Sequence, residues 1–309
     1  KNKNLFHGIT PVIGGGSAQA EFEILCGAPS LLEYGTEFNR IGDGHTNCLP
    51  KYLKNFGYKT IASQPMHGSF FNIEQAYESI GFENAFLAPS FDMSEMNNGW
   101  LSDESFLEQH FEILKDLLNS KNPILNYVFA VGCHSTLGQS KNEQGSISFT
   151  KSKTLEHFLN CNTKSIQNLV NYINKVQDLD PDSLIVILPD HKPPGILSSS
   201  YVDAGYYCDS STNRSCKRKM RGIFINGNFN KYFHEKNIAY YEIPEIIINQ
   251  ISNKYLCKTI KCISESDKIN LNGTIVNRES LFPIKDQSFA KYHREIYLSL
   301  LTESLLNKK

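Results

Sequence analysis

Apolar residues recur along this chain in two rhythms, and the alternation between them lays out the fold. In "CLPKYLKNFGY" (48–58), "NIEQAYESIGF" (72–82) and "SDESFLEQHFEILKDLLNS" (102–120) they fall three and four apart, the spacing of one helix face. Pro50 suits a first helical turn, Gly57 and Gly81 read as stops, and Ser102 to Ser105 reads as a capping box. Further helices are expected after Ser17, over "NTKSIQNLVNYINKVQDL" (162–179), over "PEIIINQISNKYL" (244–256), and over the amphipathic end from Ser288. Between them lie short runs of apolar residues: "KTIASQP" (59–65), "PILNYVFAVG" (123–132), "DSLIVILP" (182–189), "RGIFING" (221–227) and "IAYYEI" (238–243). These read as strands, the second and third buried. No repeat and no low-complexity linker interrupts the order.

Helices alternating with buried strands predict an α/β fold, with a mostly parallel central sheet flanked by helices. In such sheets ligands bind at the carboxyl ends of the strands. The residues just past each strand therefore matter. "KTIASQP" leads to His67, "PILNYVFAVG" to His134, and "DSLIVILP" to Asp190 and His191. Three of nine histidines thus fall at strand ends, one beside an aspartate. A carboxylate and an imidazole there can both reach one metal ion, which predicts metal-assisted phosphoryl or sulfuryl transfer.

Gly14 to Gly16 run into Ser17 ahead of a helix. One reading makes Ser17 a plain N-cap. The other makes it a nucleophile, with the glycines clearing room for an anion at the positive end of the helix. An acyl-transfer triad of Ser17, His191 and Asp190 fits poorly. Gln19 stands where a G-x-S-x-G elbow needs glycine, and adjacent residues on an extended chain point to opposite sides.

Composition narrows the partners. The net charge is −1 over 309 residues, with no large basic patch, so nucleic acid is not expected. No apolar run reaches the roughly 18 to 20 residues that span a bilayer. There are eight cysteines, with two close pairs, Cys208/Cys216 and Cys257/Cys262, and no zinc-binding spacing. That pattern predicts disulfides and an oxidising compartment.

Several of these segments, taken in order, resemble the extracellular catalytic domain of the lipoteichoic acid synthase group, within the alkaline phosphatase and sulfatase superfamily. "GGGSAQAEFEILCG" is similar to its nucleophile loop. Residues 49–86 resemble its next helix, strand and histidine loop, and "GWLSDESF", "NYVFAVGCHSTLG", "LIVILPDHKPPG" and "YYEIPEIIINQI" its later blocks. The likeness covers about residues 5–255. It implies Ser17 as nucleophile and metal ligand, with Asp190 and His191 as further ligands of Mn2+ or Mg2+, or of Zn2+. It implies that His67, Phe71, Asn72 and His134 line the phosphate site, His134 also as a proton-transfer group.

The implied reaction moves a phospholipid headgroup, phosphoethanolamine or phosphoglycerol, to a cell-envelope glycan or lipid acceptor. The alternatives are a phosphate or sulfate ester hydrolase, or a non-catalytic binding domain. A sulfatase of the common type needs a C/S-x-P-x-R context, which "SAQAE" lacks. Two departures stand out. Only 16 residues precede Ser17, none acidic, so "KNKNLFHGI" is expected to be a helix-loop that follows an absent first strand with its acidic metal ligand. Ile73 stands where phosphoglycerol-transferring members tend to have an arginine. The chain is expected to form one catalytic domain over 1–309, with 256–309 as a C-terminal extension, lacking that strand and any membrane helices. Such a domain works outside the cytoplasmic membrane, anchored through a segment absent from this chain. In that setting Cys26–Cys48 and Cys133–Cys161 are the expected pairings.

Overall fold

Odd and even residues of the central strands go to different cores, and this places the helices. The computed structural model describes residues 3–10, 16–27, 30, 48–96, 101–120, 122–134, 147–148, 152–191, 219–227 and 237–252. In chain order these form β1 (Lys3–Ile9), α1 (Ser17–Cys26), α2 (Leu49–Lys54), β2 (Lys59–Ser63), α3 (Ile73–Ser79), β3 (Asn84–Phe86) and α4 (Asp103–Leu118). Then come β4 (Ile124–Val128), α5 (Lys153–Leu179), β5 (Ile185–Ile187), β6 (Lys219–Ile225), β7 (Asn237–Ala239) and α6 (Ile243–Ser252).

Two sheets result, one ordered β3-β2-β4 and wholly parallel, the other β5-β6-β1-β7. In the second, β6 runs against both β1 and β5, while β1 and β7 are parallel. Strands β5, β1 and β7 therefore point one way, and their carboxyl ends share one edge.

Ile61 on β2, Ile124 and Val128 on β4, Ile185 and Ile187 on β5, and Ile223 and Ile225 on β6 pack under α4 and α5. The residues between them face the other way. Ala62, Leu125 and Tyr127 meet α1 and α3, while Val186 and Phe224 meet α6 and Ala20 of α1. This is the period-2 alternation of a strand buried on both faces. Helix α1 serves both sheets, sending Ala18, Phe22 and Leu25 to one core and Ala20 to the other. Between β6 and β1 the Phe6 ring lies over Gly222, where an added Cβ would sit 2.2 Å from it. Only glycine leaves that space.

The expected alternation is present, with local differences. "KNKNLFHGI" is not a helix-loop: Lys3–Ile9 is strand β1, paired along its length with β6. Its apolar residues are too few for a helix face, and two neighbouring strands satisfy its backbone. Helix α5 begins at Lys153 rather than Asn162, because the Ser152 hydroxyl accepts the Leu155 N–H and caps an earlier start. Strand "IAYYEI" shortens to Asn237–Ala239, and Tyr240–Glu242 turn into a 3-10 helix where the Glu242 carboxylate accepts the Ala239 N–H. The box at Ser102 supplies one half of the motif, the Ser105 N–H bonded to the Ser102 hydroxyl at 3.2 Å. Strands β4 and β5 are half-buried rather than fully buried. The helix expected from Ser288 and the pairs Cys208/Cys216 and Cys257/Cys262 lie outside the described residues.

Candidate active site at the strand ends

Gly16 takes the N-cap of α1 with φ 96°, a left-handed turn that glycine adopts without steric cost. Ser17 is therefore the first helical residue, not the cap. Its hydroxyl donates to Asp190 Oδ2 at 2.6 Å and lies 3.2 Å from His191 Nε2. The plain-cap reading of Ser17 falls here, because the oxygen points away from its own helix.

Asp190 is held from three sides. Its Oδ1 accepts the His191 N–H at 2.8 Å, and its carbonyl accepts the Thr10 hydroxyl at 2.6 Å, just past the end of β1. The preceding carbonyl, of Pro189, accepts the Tyr240 hydroxyl from the end of β7. Three co-directional strands thus fix one loop. His191 Nε2 stands 3.1 Å from Asp190 Oδ2, with the two side chains 10% and 25% exposed. Adjacent residues do converge, since the chain has left the strand and curls at Asp190.

A hydroxyl oxygen, a carboxylate oxygen and an imidazole nitrogen therefore gather within about one ligand diameter, open to solvent on one side. This oxygen-rich donor set fits a divalent cation. Asp190, His191 and Ser17 would hold it. Among the described residues no group of three or more His, Cys, Asp or Glu assembles, so the acidic partners number one here.

The other expected residues sit along the edge of the parallel sheet. Strands β2 and β4 are in register, Ser63 opposite Val128, so the loops carrying His67 and His134 leave from the same edge. Both histidines are exposed. The His134 loop is tightly anchored: Cys133 is bonded to Cys161 of α5, and the Gly132 N–H donates to Asp103 Oδ1 at 2.6 Å. Ser165 of α5 donates to the other oxygen of Asp103. Burial raises the Asp103 pKa, opposed by backbone donors. The second expected pairing, Cys26–Cys48, joins the end of α1 to the start of α2.

Phe71 and Asn72 adopt left-handed backbone, φ 49° and 57°, in a turn before α3. Two consecutive non-glycine residues there store strain of the kind that clusters at ligand-binding turns. Phe71 is 42% exposed and stacks edge-on against Phe70. Ile73, by contrast, is buried with Ala76 and Tyr77, so its position faces the core rather than the site.

Three further groups at the site carry no mark that local spacing reveals or that the motifs single out. Thr10 and Tyr240 are fixed by pairing partners far along the chain. Glu21 sits inside the "AEF" block, and an acid one turn past a nucleophile on a buried helix is the available signal. Its Oε2 accepts the Tyr77 hydroxyl at 2.6 Å. Burial pushes its pKa up to about 7 against that bond, with the Asp190 charge adding to the rise.

The "Sulfatase" family model matches residues 8–207, more than half of the chain, and takes in Ser17, His67, His134, Asp190 and His191. The chain belongs to the sulfatase family. Within that family it is 29% identical over 170 residues to the lipoteichoic acid synthase of Staphylococcus saprophyticus, covering 52% of this chain and 25% of that protein. The chain thus spans about a quarter of the length of that curated relative. The crystal structure of the lipoteichoic acid synthase LtaP from Listeria monocytogenes has the same fold, with TM-score 0.70 at 19% identity, over 81% of this chain and 63% of that one. The phosphoglycerol transferase GacH of Streptococcus pyogenes, solved with sn-glycerol-1-phosphate, superposes with TM-score 0.63 at 14% identity, over 96% and 74% of the two chains. The C-terminal periplasmic domain of EcEptC from Escherichia coli, in complex with Zn, gives 0.52 at 13% identity, over 80% and 71%. These likenesses show that the α/β fold is shared with those proteins.

Proposed function

We propose that this chain transfers a phospholipid headgroup, phosphoethanolamine or phosphoglycerol, to a cell-envelope glycan or lipid through a covalent Ser17 intermediate. The observation that carries the reading is the Ser17 hydroxyl, turned off its helix and aimed at Asp190 and His191. A structural serine at a helix start would cap it instead. The kinship with a lipoteichoic acid synthase, and the shared fold with a phosphoglycerol transferase, support this substrate class.

In this mechanism Asp190 Oδ2 holds the Ser17 proton and receives it as the oxygen forms a bond to phosphorus. The phosphorus–oxygen bond to diacylglycerol breaks, and His134 protonates the departing oxygen. The acceptor hydroxyl then attacks the phosphoserine, its proton passing to His134, and Ser17 is regenerated as its oxygen takes back the proton from Asp190. His67, Phe71 and Asn72 bind the headgroup from the neighbouring loops. A divalent ion, Mn2+ or Mg2+ or Zn2+, held by Asp190, His191 and Ser17 would neutralise the charge that gathers on the phosphoryl oxygens.

The setting is extracytoplasmic, which the two disulfides suit. Among the described residues no helix is long and apolar enough to cross a membrane.

The test is the mass of the Ser17 peptide after incubation with Mn2+ and vesicles of phosphatidylglycerol and phosphatidylethanolamine. A phosphoglycerol or phosphoethanolamine adduct is expected, and its mass names the headgroup. Bound metal with headgroup released but no adduct at any time point would overturn the covalent route in favour of direct hydrolysis.

A further inference from the structure

The nucleophile helix carries a second buried acid that the proposed chemistry does not use. Glu21 lies four residues after Ser17, on the same face of α1, and only 3% of it is exposed. A carboxyl group in such a place is costly unless donors meet it. One phenol does. Tyr77 of α3, fully buried, donates to Glu21 Oε2 at 2.6 Å and itself accepts the Gln64 side-chain N–H at 2.6 Å. The Tyr127 ring of β4 packs edge-on against Tyr77, 6.2 Å between centroids. Gln64 follows β2 directly, so the chain of bonds runs from the carboxyl edge of the parallel sheet into the helix that bears Ser17.

That helix needs such a tie. Ser17 must meet Asp190, which is fixed by the ends of β1, β5 and β7, whereas the loops with His67 and His134 belong to the other sheet. Apolar packing of Ala18 and Phe22 fixes the depth of α1 but leaves its rotation and axial slide soft, because dispersion contacts are non-directional. A directional hydrogen bond from Tyr77, itself held by Gln64, supplies what packing lacks. We infer that Glu21, clamped by Tyr77, is a positioning residue that sets where the Ser17 hydroxyl stands between the two sheets. This role rests on Ser17 being the nucleophile.

The groups that face Glu21 are Tyr77 from α3, Tyr127 from β4 and Asp190 from the loop after β5. Ionisation of Glu21 adds a negative charge near Asp190 and opposes the charge that Ser17 develops in attack. The clamp is therefore expected to leave a mark on the pH profile as well as on the rate.

Three variants of this chain test it: Tyr77→Phe, Glu21→Ala and Glu21→Gln. The first readout is the rate of Ser17 adduct formation from the mixed vesicles with Mn2+. Tyr77→Phe and Glu21→Ala should slow it at saturating lipid by about tenfold to a hundredfold, the cost of a misplaced reacting group, with half-saturation within about twofold. Glu21→Gln keeps an acceptor for Tyr77, so it should restore most of the rate while losing the wild-type pH step near neutrality. Wild-type rates in the first two variants, a change in half-saturation alone, or an unaltered pH profile in Glu21→Gln would overturn the assignment. The second readout is amide hydrogen exchange across Ser17–Cys26, which needs no reaction. If wild-type protein forms no Ser17 adduct, the transfer reading fails and exchange alone judges the clamp. Faster exchange in this helix in Tyr77→Phe, with the rest of the fold unchanged, upholds it. Unchanged exchange refutes it.

Discussion

Glu21 and His110 are both buried ionisable side chains, yet their surroundings have nothing in common. Glu21 sits where strand ends and helix starts leave polar groups to be satisfied, and it collects a phenol donor and a nearby carboxylate. His110 sits in the middle of α4 under an aromatic cluster, wholly buried, with Asn126 Oδ1 at 3.0 Å from Nε2 and no partner on Nδ1. Asn126 in turn donates to the Tyr172 hydroxyl. Burial pushes His110 down to about 4 and Glu21 up to about 7, so both favour their neutral forms, His110 for want of a second acceptor and Glu21 in spite of its donor. The comparison separates a core that tolerates a polar group from a site edge that organises several.

The largest effect should come from the site edge and leave the core untouched. Ser17→Ala is expected to abolish adduct formation while the circular dichroism spectrum and melting temperature stay at wild-type values. Loss of the fold would mean that Ser17 is structural.

Next come the two crosslinks, one joining α1 to α2 and the other tying the His134 loop to α5. Each closes a loop of moderate length, with sequence separations of 22 and 28. Replacing both cysteines of either pair by serine should cost about 3 kcal/mol in denaturant unfolding, the loop-closure term. The Cys133/Cys161 pair should also slow turnover through the His134 loop. An unchanged midpoint would show that these bonds do not hold the native state.

The pH dependence of stability sharpens the contrast, because the two groups have opposite signs. His110 is lowered in the fold, so the unfolded chain takes up its proton first. Stability should fall as pH drops from 6.5 towards 4, by about 3 kcal/mol, and His110→Gln should remove that slope. Glu21 is raised in the fold, so its contribution is complete below 4.5 and is lost as pH rises towards 7. Glu21→Gln should therefore gain on wild type over that window, again by about 3 kcal/mol, as read by urea titrations at several pH values. Parallel curves for the two variants would erase the distinction.

The smallest effect belongs to the strained turn. Phe71→Gly removes a side chain from a left-handed position and should stabilise the fold by about 1 kcal/mol or less. It should at the same time weaken lipid half-saturation. A gain in both would mean that the exposed ring does not touch substrate.

The helices and strands are legible because each carries its own period: Leu49, Tyr52 and Leu53 on α2, or Ile185 and Ile187 against Val186 on β5. So are the residues that end on loops after strands, since Ser17, His67, His134, Asp190 and His191 are marked by chemistry and by neighbouring glycines or apolar runs. Lys3–Ile9 misleads because it has no period of its own and becomes a strand only through β6, more than two hundred residues away. Thr10, Tyr240 and the Tyr77 phenol on Glu21 escape sequence reasoning for the same reason.

By itself, the sequence determined which elements form and which side chains bear chemistry, since both depend on near neighbours along the chain. Tertiary structure alone decided that Asp190 and His191 meet Ser17, that β6 reverses the sheet, and that Tyr77 closes on Glu21. Those meetings depend on long-range pairing and on burial, which turn a carboxyl or a hydroxyl from a solvated group into one that must find a partner.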